Sequence, residues 1–270
     1  MRISKIALIT FVCAVGAAAQ DKVTVPISNP SQPVTLKVST MNGSIKVTAG
    51  TGKDVIVSTE DGGARLRERN PRDGAPPGMT RIGGGRSGVD IEEDHNVVTV
   101  NSGPAGGNGN LVIETPANTN LKLRTTNGST IDVTGISGDH EIENTNGGIH
   151  LNNVSGSVVA HTLNGAVIVS LDRITGTKPM SFTSMNGKVD VTMPADTKAR
   201  LRLKSDNGAI YSDFDVKLEP DASKPVVEDN RGANGKYKIS IDKAVTGTIN
   251  GGGPEYTFQT MNGNILIHKK

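Results

Sequence analysis

The sequence predicts an all-β chain and, within that class, a parallel β-solenoid (β-helix-like) built of ~20-residue rungs with Asn-Gly corners. Three observations predict it. The Asn-Gly dipeptide recurs at Asn42, Asn127, Asn146, Asn164, Asn186, Asn207 and Asn262, with central spacings of 19, 18, 22 and 21 residues. Apolar residues alternate with polar ones before each Asn, the period of a strand with one buried face. The composition holds 33 Gly and no Trp, with aromatics at only 3%. The core must therefore come from Val, Ile and Leu on many short strands joined by tight turns.

In chain order, residues 1–19 read as a signal peptide. Arg2 and Lys5 precede an apolar run from Ile6 to Val15, and Ala17–Ala19 supply a small-residue cleavage site. That run is too short to span a bilayer. The only cysteine, Cys13, lies inside this segment, so residues 20–270 carry no thiol and no disulfide staple. These residues read as a single β-solenoid domain with no membrane span.

Within each repeat a hydroxyl stands two before the Asn in most copies (Thr40, Thr125, Thr162, Ser184, Ser205, Thr260). Apolar residues stand four and six before it, as in Leu36/Val38, Leu121/Leu123 and Leu201/Leu203. The Asn shares their parity, which places its side chain inward. After the Gly an apolar pair returns in shifted register: Ile45/Val47, Ile149/Leu151, Val167/Val169, Val189/Val191 and Ile265/Ile267. A Gly at positive φ accounts for the shift. Asp61-Gly62 reads as a further copy. A hairpin is the competing reading of Asn-Gly. Turns in a meander alternate between two ends, however, whereas a coil repeats one corner and stacks equivalent residues ~4.8 Å apart. Stacked Asn side chains can then form a hydrogen-bonded ladder. Asn262, in the last copy, is expected to have a neighbour on one side only. The same register sets Lys122 beside Glu141, Arg124 beside Glu143, His150 beside Asp132 and His161 beside Glu143.

Two segments break the period and read as insertion loops. Residues 65–88 combine Gly, Pro and Arg, and residues 217–235 are polar and contain Pro220 and Pro225. Strand character resumes at Tyr237, Ile239 and Ile241, and Lys269 and Lys270 protect the end from edge pairing.

The stretches STMNGSIKV, TSMNGKVDV and GTINGGGPEYTFQTMNGNILIHKK resemble a family of exported bacterial proteins catalogued as putative adhesins, also labelled a domain of unknown function. The resemblance covers most of residues 20–270, and Gly-Gly-Gly-Pro followed by the final Asn-Gly copy is its most specific part. It implies a β-solenoid in the envelope or outside the cell, and it supplies no catalytic residues.

Net charge is +2, which argues against a general nucleic-acid or membrane-surface role. No Cys and scattered His leave no zinc pattern. Asp213-Phe214-Asp215 lacks the ligand-rich glycine loop of a calcium site. Gly83–Gly85 and Gly251–Gly253 lack the context of a phosphate loop. Glu141, Glu143, Asp190, Asp213 and Asp215 could be sought as a glycosidase pair, but few aromatics exist to stack on sugar rings. Met41, Leu163, Met185 and Met261 should face outward beside the corner.

No cofactor is expected. The reading is a noncatalytic, exported binding or adhesin-like module of the cell envelope, periplasmic or extracellular, whose partner is an envelope polymer or a protein surface. The alternatives are a structural or signalling envelope component recognised by a partner protein, or a polysaccharide-acting enzyme. The candidate anion-binding element is the loop 65–88. There Arg65, Arg67, Arg69, Arg72, Arg81 and Arg86 face only Glu68 and Asp73. Export carries its own test: intact-mass analysis of protein from the native envelope should place the N-terminus within a residue or two of Gln20. A chain retaining Met1, or a lipid on Cys13, overturns it.

Overall fold

A computed structural model describes residues 22–61, 89–102, 109–219, 226–230, 236–240 and 244–270. The expected signal peptide and the arginine segment, with Arg65, Arg67, Arg69, Arg72, Arg81 and Arg86, lie outside the described residues. So does Gly62.

All described elements are strands, and twenty of them join in one sheet that folds into two faces. The front face stacks, in spatial order, Val89–Asp94, Val97–Ser102, Val34–Asn42, Thr119–Asn127, Ser137–Asn146 and the second half of Gly148–Asn164. It continues through Met180–Asn186, Glu255–Asn262, Ala199–Asn207, Val245–Ile249 and Lys217–Leu218. The back face stacks Lys22–Val25, Val55–Asp61, Gly109–Pro116, Ile45–Gly50, Thr130–Thr134 and the first half of Gly148–Asn164. Val167–Arg173, Val189–Met193, Ile265–Lys269 and Ile210–Ser212 complete it. Pairing is parallel through the middle of both faces and antiparallel only near their ends.

The alternation in the sequence explains the core. Leu36, Val38, Leu121, Leu123, Ile142, Val158 and Phe182 point inward from the front, and Ile45, Val47, Ile131, Ile149, Val167 and Val189 meet them from the back in one cluster. Phe182 and Phe258 stack with ring centroids 5.1 Å apart. Offset aromatic pairs of this kind contribute beyond their burial.

Four details differ from the sequence reading. First, the stacked asparagines are exposed, or half-buried at Asn42, rather than inward. From Asn127 onward they still join side chain to side chain along the corner, each Nδ2 donating to the Oδ1 of the preceding rung. Asn146 donates to Asn127 at 3.0 Å, Asn164 to Asn146 at 2.8 Å and Asn186 to Asn164 at 2.8 Å. The inward position belongs to the residue two earlier. Thr162, Ser184 and Thr260 are buried and donate to the carbonyl oxygens of Gly147, Gly165 and Gly187 at 2.7, 2.8 and 2.8 Å.

Second, Asn262 is not terminal in the stack. Its strand inserts between the Asn186 and Asn207 strands, so Asn262 donates to Asn186 at 2.7 Å and accepts from Asn207 at 2.9 Å. Asn207 ends the ladder.

Third, the corner glycines do not need positive φ; among the motif copies only Gly43 adopts it, at 102°. They need the absence of a side chain. A Cβ on Gly147, Gly165 or Gly187 would lie 2.2, 2.3 or 2.1 Å from the carbonyl oxygen of the preceding corner glycine.

Fourth, Val55–Asp61 is no parallel rung: it runs antiparallel to both of its neighbours. Conversely, Val97–Ser102 is a rung without Asn-Gly, stacked in parallel on Val34–Asn42 with Val98 and Val100 buried.

The segment 217–235 is also partly ordered into strands. Lys217–Leu218 pairs with Val245–Ile249, and Val226–Asn230 pairs with Lys236–Ser240 in a separate hairpin, apart from the lead-in to the last copy.

These contacts rank four substitutions. Gly165→Ala should destabilise by about 1–3 kcal/mol or more through overpacking against backbone. Gly50→Ala, whose Cβ would meet nothing nearer than 3.6 Å, should stay near neutral. Thr162→Val, which removes a buried donor, should cost about 1–3 kcal/mol, whereas water can replace the partners of exposed Asn164 in Asn164→Ala, leaving a smaller loss. Urea midpoints decide the matter. Asn164→Ala losing more than Thr162→Val would reverse the roles assigned to the two stacks.

Candidate functional site

The front strands turn every second side chain to solvent, and parallel stacking lines these side chains into columns across the rungs. One column runs Lys37, Lys122, Glu141, Val159 and Ser181. The next runs Ser39, Arg124, Glu143, His161 and Thr183. Lys122 Nζ lies 2.8 Å from Glu141 Oε2, and Arg124 Nε lies 3.2 Å from Glu143 Oε2. His161 sits in register with Glu143.

Two depressions share Lys122, Glu141 and Glu143 and form one trough. The smaller, of about 210 Å³, reaches Lys37, Ser39 and Asn101. The larger, of about 690 Å³, reaches Thr35, Asn120, Asp139, Ser157, Val159, His161 and Lys178. Asp139 Oδ2 accepts from Lys178 Nζ at 2.7 Å and Asp139 Oδ1 from Ser157 Oγ at 2.6 Å. The lysine first, and then the serine, hold the Asp139 carboxyl below its ordinary range. Glu141, as hydrogen-bond acceptor and as charge, holds Lys122 above its own. Both shifts favour the charged, paired forms of Asp139 and Lys122, whereas a general acid for glycoside cleavage needs a carboxyl raised above its ordinary range, the opposite of Asp139.

The other carboxylates considered as an acid pair stand on the back face or at its edge. Asp190 lies 2.9 Å from Lys188 and 3.6 Å from His268, while Asp213 lies 3.0 Å from His268. The hydrogen bond from His268 lowers the Asp213 pKa. Asp215 is exposed beyond buried Phe214. His150 reaches Asp132 at 3.1 Å, also on the back face. The structure thus brings Glu141 and Glu143 together but leaves Asp190, Asp213 and Asp215 elsewhere. Among the described residues, no group of three or more His, Cys, Asp or Glu could hold a metal ion.

Beside the Asn ladder, Met41, Met185 and Met261 are exposed and Leu163 is half-buried. Register makes Leu163, Met185 and Met261 consecutive.

The sequence reading missed His140. It occupies the inward column between Leu121 and Val158 and is 2% exposed, and its ring nitrogens meet only the backbone of Ser155 and Ile136, without a hydrogen bond of normal geometry. The signal was present: six before Asn146, the position that is apolar in neighbouring copies, stands a histidine.

Fold and site together define an all-β protein of stacked, repeated strands with a charge-paired trough on one face. The chain belongs to the Toastrack DUF4097 family, whose model matches residues 7–267. No curated protein matches it. Among solved structures it is similar to a putative cell adhesion protein from Clostridium sporogenes ATCC 15579, at 10% identity and a TM-score of 0.44, over 93% of this chain and all of that one. It is also similar to a putative adhesin from Bacteroides fragilis NCTC 9343, at 9% identity and a TM-score of 0.40, over 94% of this chain and 98% of that one.

Burial pushes the His140 pKa below its ordinary 6.5, outweighing the backbone of Ser155 and Ile136 and the charge of Asp139, so folding disfavours the charged ring. The unfolded chain then binds the extra proton as pH falls below about 6.5, and this residue erodes stability over that window. Its full contribution is present above it. Tm of the wild type should fall more between pH 7 and pH 5 than Tm of His140→Leu, which should also be the more stable protein at pH 5. Parallel Tm curves would remove His140 from the acid response.

Proposed function

We propose that the chain is a noncatalytic, exported binding module of the cell envelope, a β-solenoid with Asn-Gly corners whose front trough receives an extended polymer. The observation that carries this reading is the trough itself. It crosses five stacked rungs, from Val97–Ser102 to the second half of Gly148–Asn164, a distance of about 19 Å at ~4.8 Å per rung. Its groups repeat at rung spacing, which suits a repeating ligand better than a single small molecule. Rigid strands hold them, so little side-chain ordering is needed on binding.

The charge pairing supports binding rather than hydrolysis: Glu141 and Glu143 each face a cation, and Asp139 faces Lys178. The arginines of residues 65–88 belong to the same proposal as a second, electrostatic contact for anionic envelope material. A partner protein is the second reading, favoured by the apolar run of half-buried Leu163 and exposed Met185 and Met261.

Pull-down on immobilised acidic envelope glycans tests the reading. Lys122→Glu/Arg124→Glu reverses the two central cations of the trough and should weaken retention at least tenfold. Replacing residues 65–88 by a Gly-Ser linker should weaken it further and flatten its salt dependence. Retention unchanged in both variants would overturn the polymer reading, and capture through Met185 and Met261 alone would favour the partner protein.

A further inference from the structure

A second cavity, of about 670 Å³, begins one residue along the chain from the trough's Lys178, where three return turns meet around Ile174–Thr177, Pro194–Lys198 and Gly252–Pro254. We infer that it is a binding site for a short acidic oligosaccharide, a di- or tri-uronate whose carboxylates meet Arg173 and Lys198. The inference rests on the polymer reading and names the ligand class through which that polymer would be gripped.

The rim is built rather than incidental. Asn250 holds a left-handed φ of 49°, and Gly251 and Gly252 follow at 89° and 85°. A non-glycine residue in that region is strained and persists only where its surroundings hold it. Here the Asn250 side chain does so, donating to the carbonyls of Ala195 at 3.0 Å and Thr197 at 2.7 Å. Thr197 in turn donates from Oγ1 to Pro194 O at 2.7 Å. Gly253 packs so closely that a Cβ would stand 2.4 Å from Lys198 O. Two of the three turns are thereby locked together, which presets the cavity and lowers the cost of occupying it.

Charge selects the ligand. Arg173, Lys198 and Asp196 are exposed on the lining, and none makes an ion pair with another described residue. Asp172 is on the lining too, but Lys270 neutralises it. The unpaired groups sum to 2 − 1 = +1, so the lining attracts one anionic ligand while Asp196 still accepts from its hydroxyls. Arginine grips a carboxylate with a bidentate fork. Pro194, Pro254 and Tyr256 add apolar wall, and Tyr256 is buried against the core. A volume in the small-ligand range, apolar walls and a few convergent polar groups suit a sugar acid. A free phosphate would fill little of this space and would leave the apolar wall uncovered.

Titration calorimetry of the full chain with digalacturonic acid tests this. The wild type should bind it, and Arg173→Gln/Lys198→Gln should bind at least tenfold more weakly with Tm unchanged, neither side chain having an ion-pair partner among the described residues. Thr177→Trp, which fills the cavity without altering charge, should abolish binding. Cellobiose should bind at least tenfold more weakly than digalacturonate, and inorganic phosphate should not displace it. The trough variant Lys122→Glu/Arg124→Glu should bind digalacturonate as the wild type does. No binding at millimolar digalacturonate, equal binding by Arg173→Gln/Lys198→Gln, or displacement by phosphate would overturn the inference. Glycan retention that persists through the trough alone would sink this cavity and leave the proposed function standing. Digalacturonate held here, with retention indifferent to the trough variant, would uphold the cavity and sink the role of the trough.

Discussion

The contact on which the structure depends is the backbone approach at the corner, where each glycine carries the carbonyl oxygen over which the next corner glycine sits. A Cβ at Gly187 would lie 2.1 Å from Gly165 O, and one at Gly208 would lie 1.9 Å from Gly263 O, so no other residue fits without moving backbone. The approach brings these carbonyls within reach of a buried or half-buried hydroxyl, as buried Ser184 reaches Gly165 and half-buried Ser205 reaches Gly263. Inside the sheet that hydroxyl meets a backbone acceptor that would otherwise lose water without return. Outside, the asparagine amides join in the same direction. The corner is thus held by an inner and an outer stack with glycine between them, and it determines register at the rungs that carry the motif.

Register then determines the surface. Once equivalent residues stack, the solvent-facing columns are set by sequence alone. Lys122 must meet Glu141, and Arg124 must meet Glu143. The trough is a consequence of the corner: its charges are paired because one corner places each rung in phase with the next. A slip by one residue would turn the apolar set outward and destroy both core and trough.

The ends of the stack follow another logic. The last segment of the chain does not extend the stack but enters it, placing Phe258 against Phe182 on one side and Leu203 on the other. The strand Ala199–Asn207 thereby moves outward and is covered by Val245–Ile249 in antiparallel pairing. This insertion also creates the second cavity. It brings the Gly252–Pro254 turn beside the Pro194–Lys198 turn, two segments more than fifty residues apart in the chain.

Much of the fold was readable in the order of residues because period-two alternation and a repeated dipeptide are local signals. Leu121 and Leu123 must share a face, and Asn146 must occupy the place that Asn127 occupies one rung away. The cross-rung charge pairs were readable for the same reason. The order of the rungs was not, since the copies at Asn186, Asn207 and Asn262 carry the same motif and any could stack on any other. Only packing decided that Asn262 lies between the other two. Nor could the sequence tell why glycine occupies the corner: positive φ is a property of one residue, whereas a 2.3 Å approach to another rung's carbonyl belongs to the assembled stack. The outward turn of the asparagines, the burial of His140, and the cavity between three distant turns were decided the same way. Each depends on which segments become neighbours, and that is determined by tertiary contact.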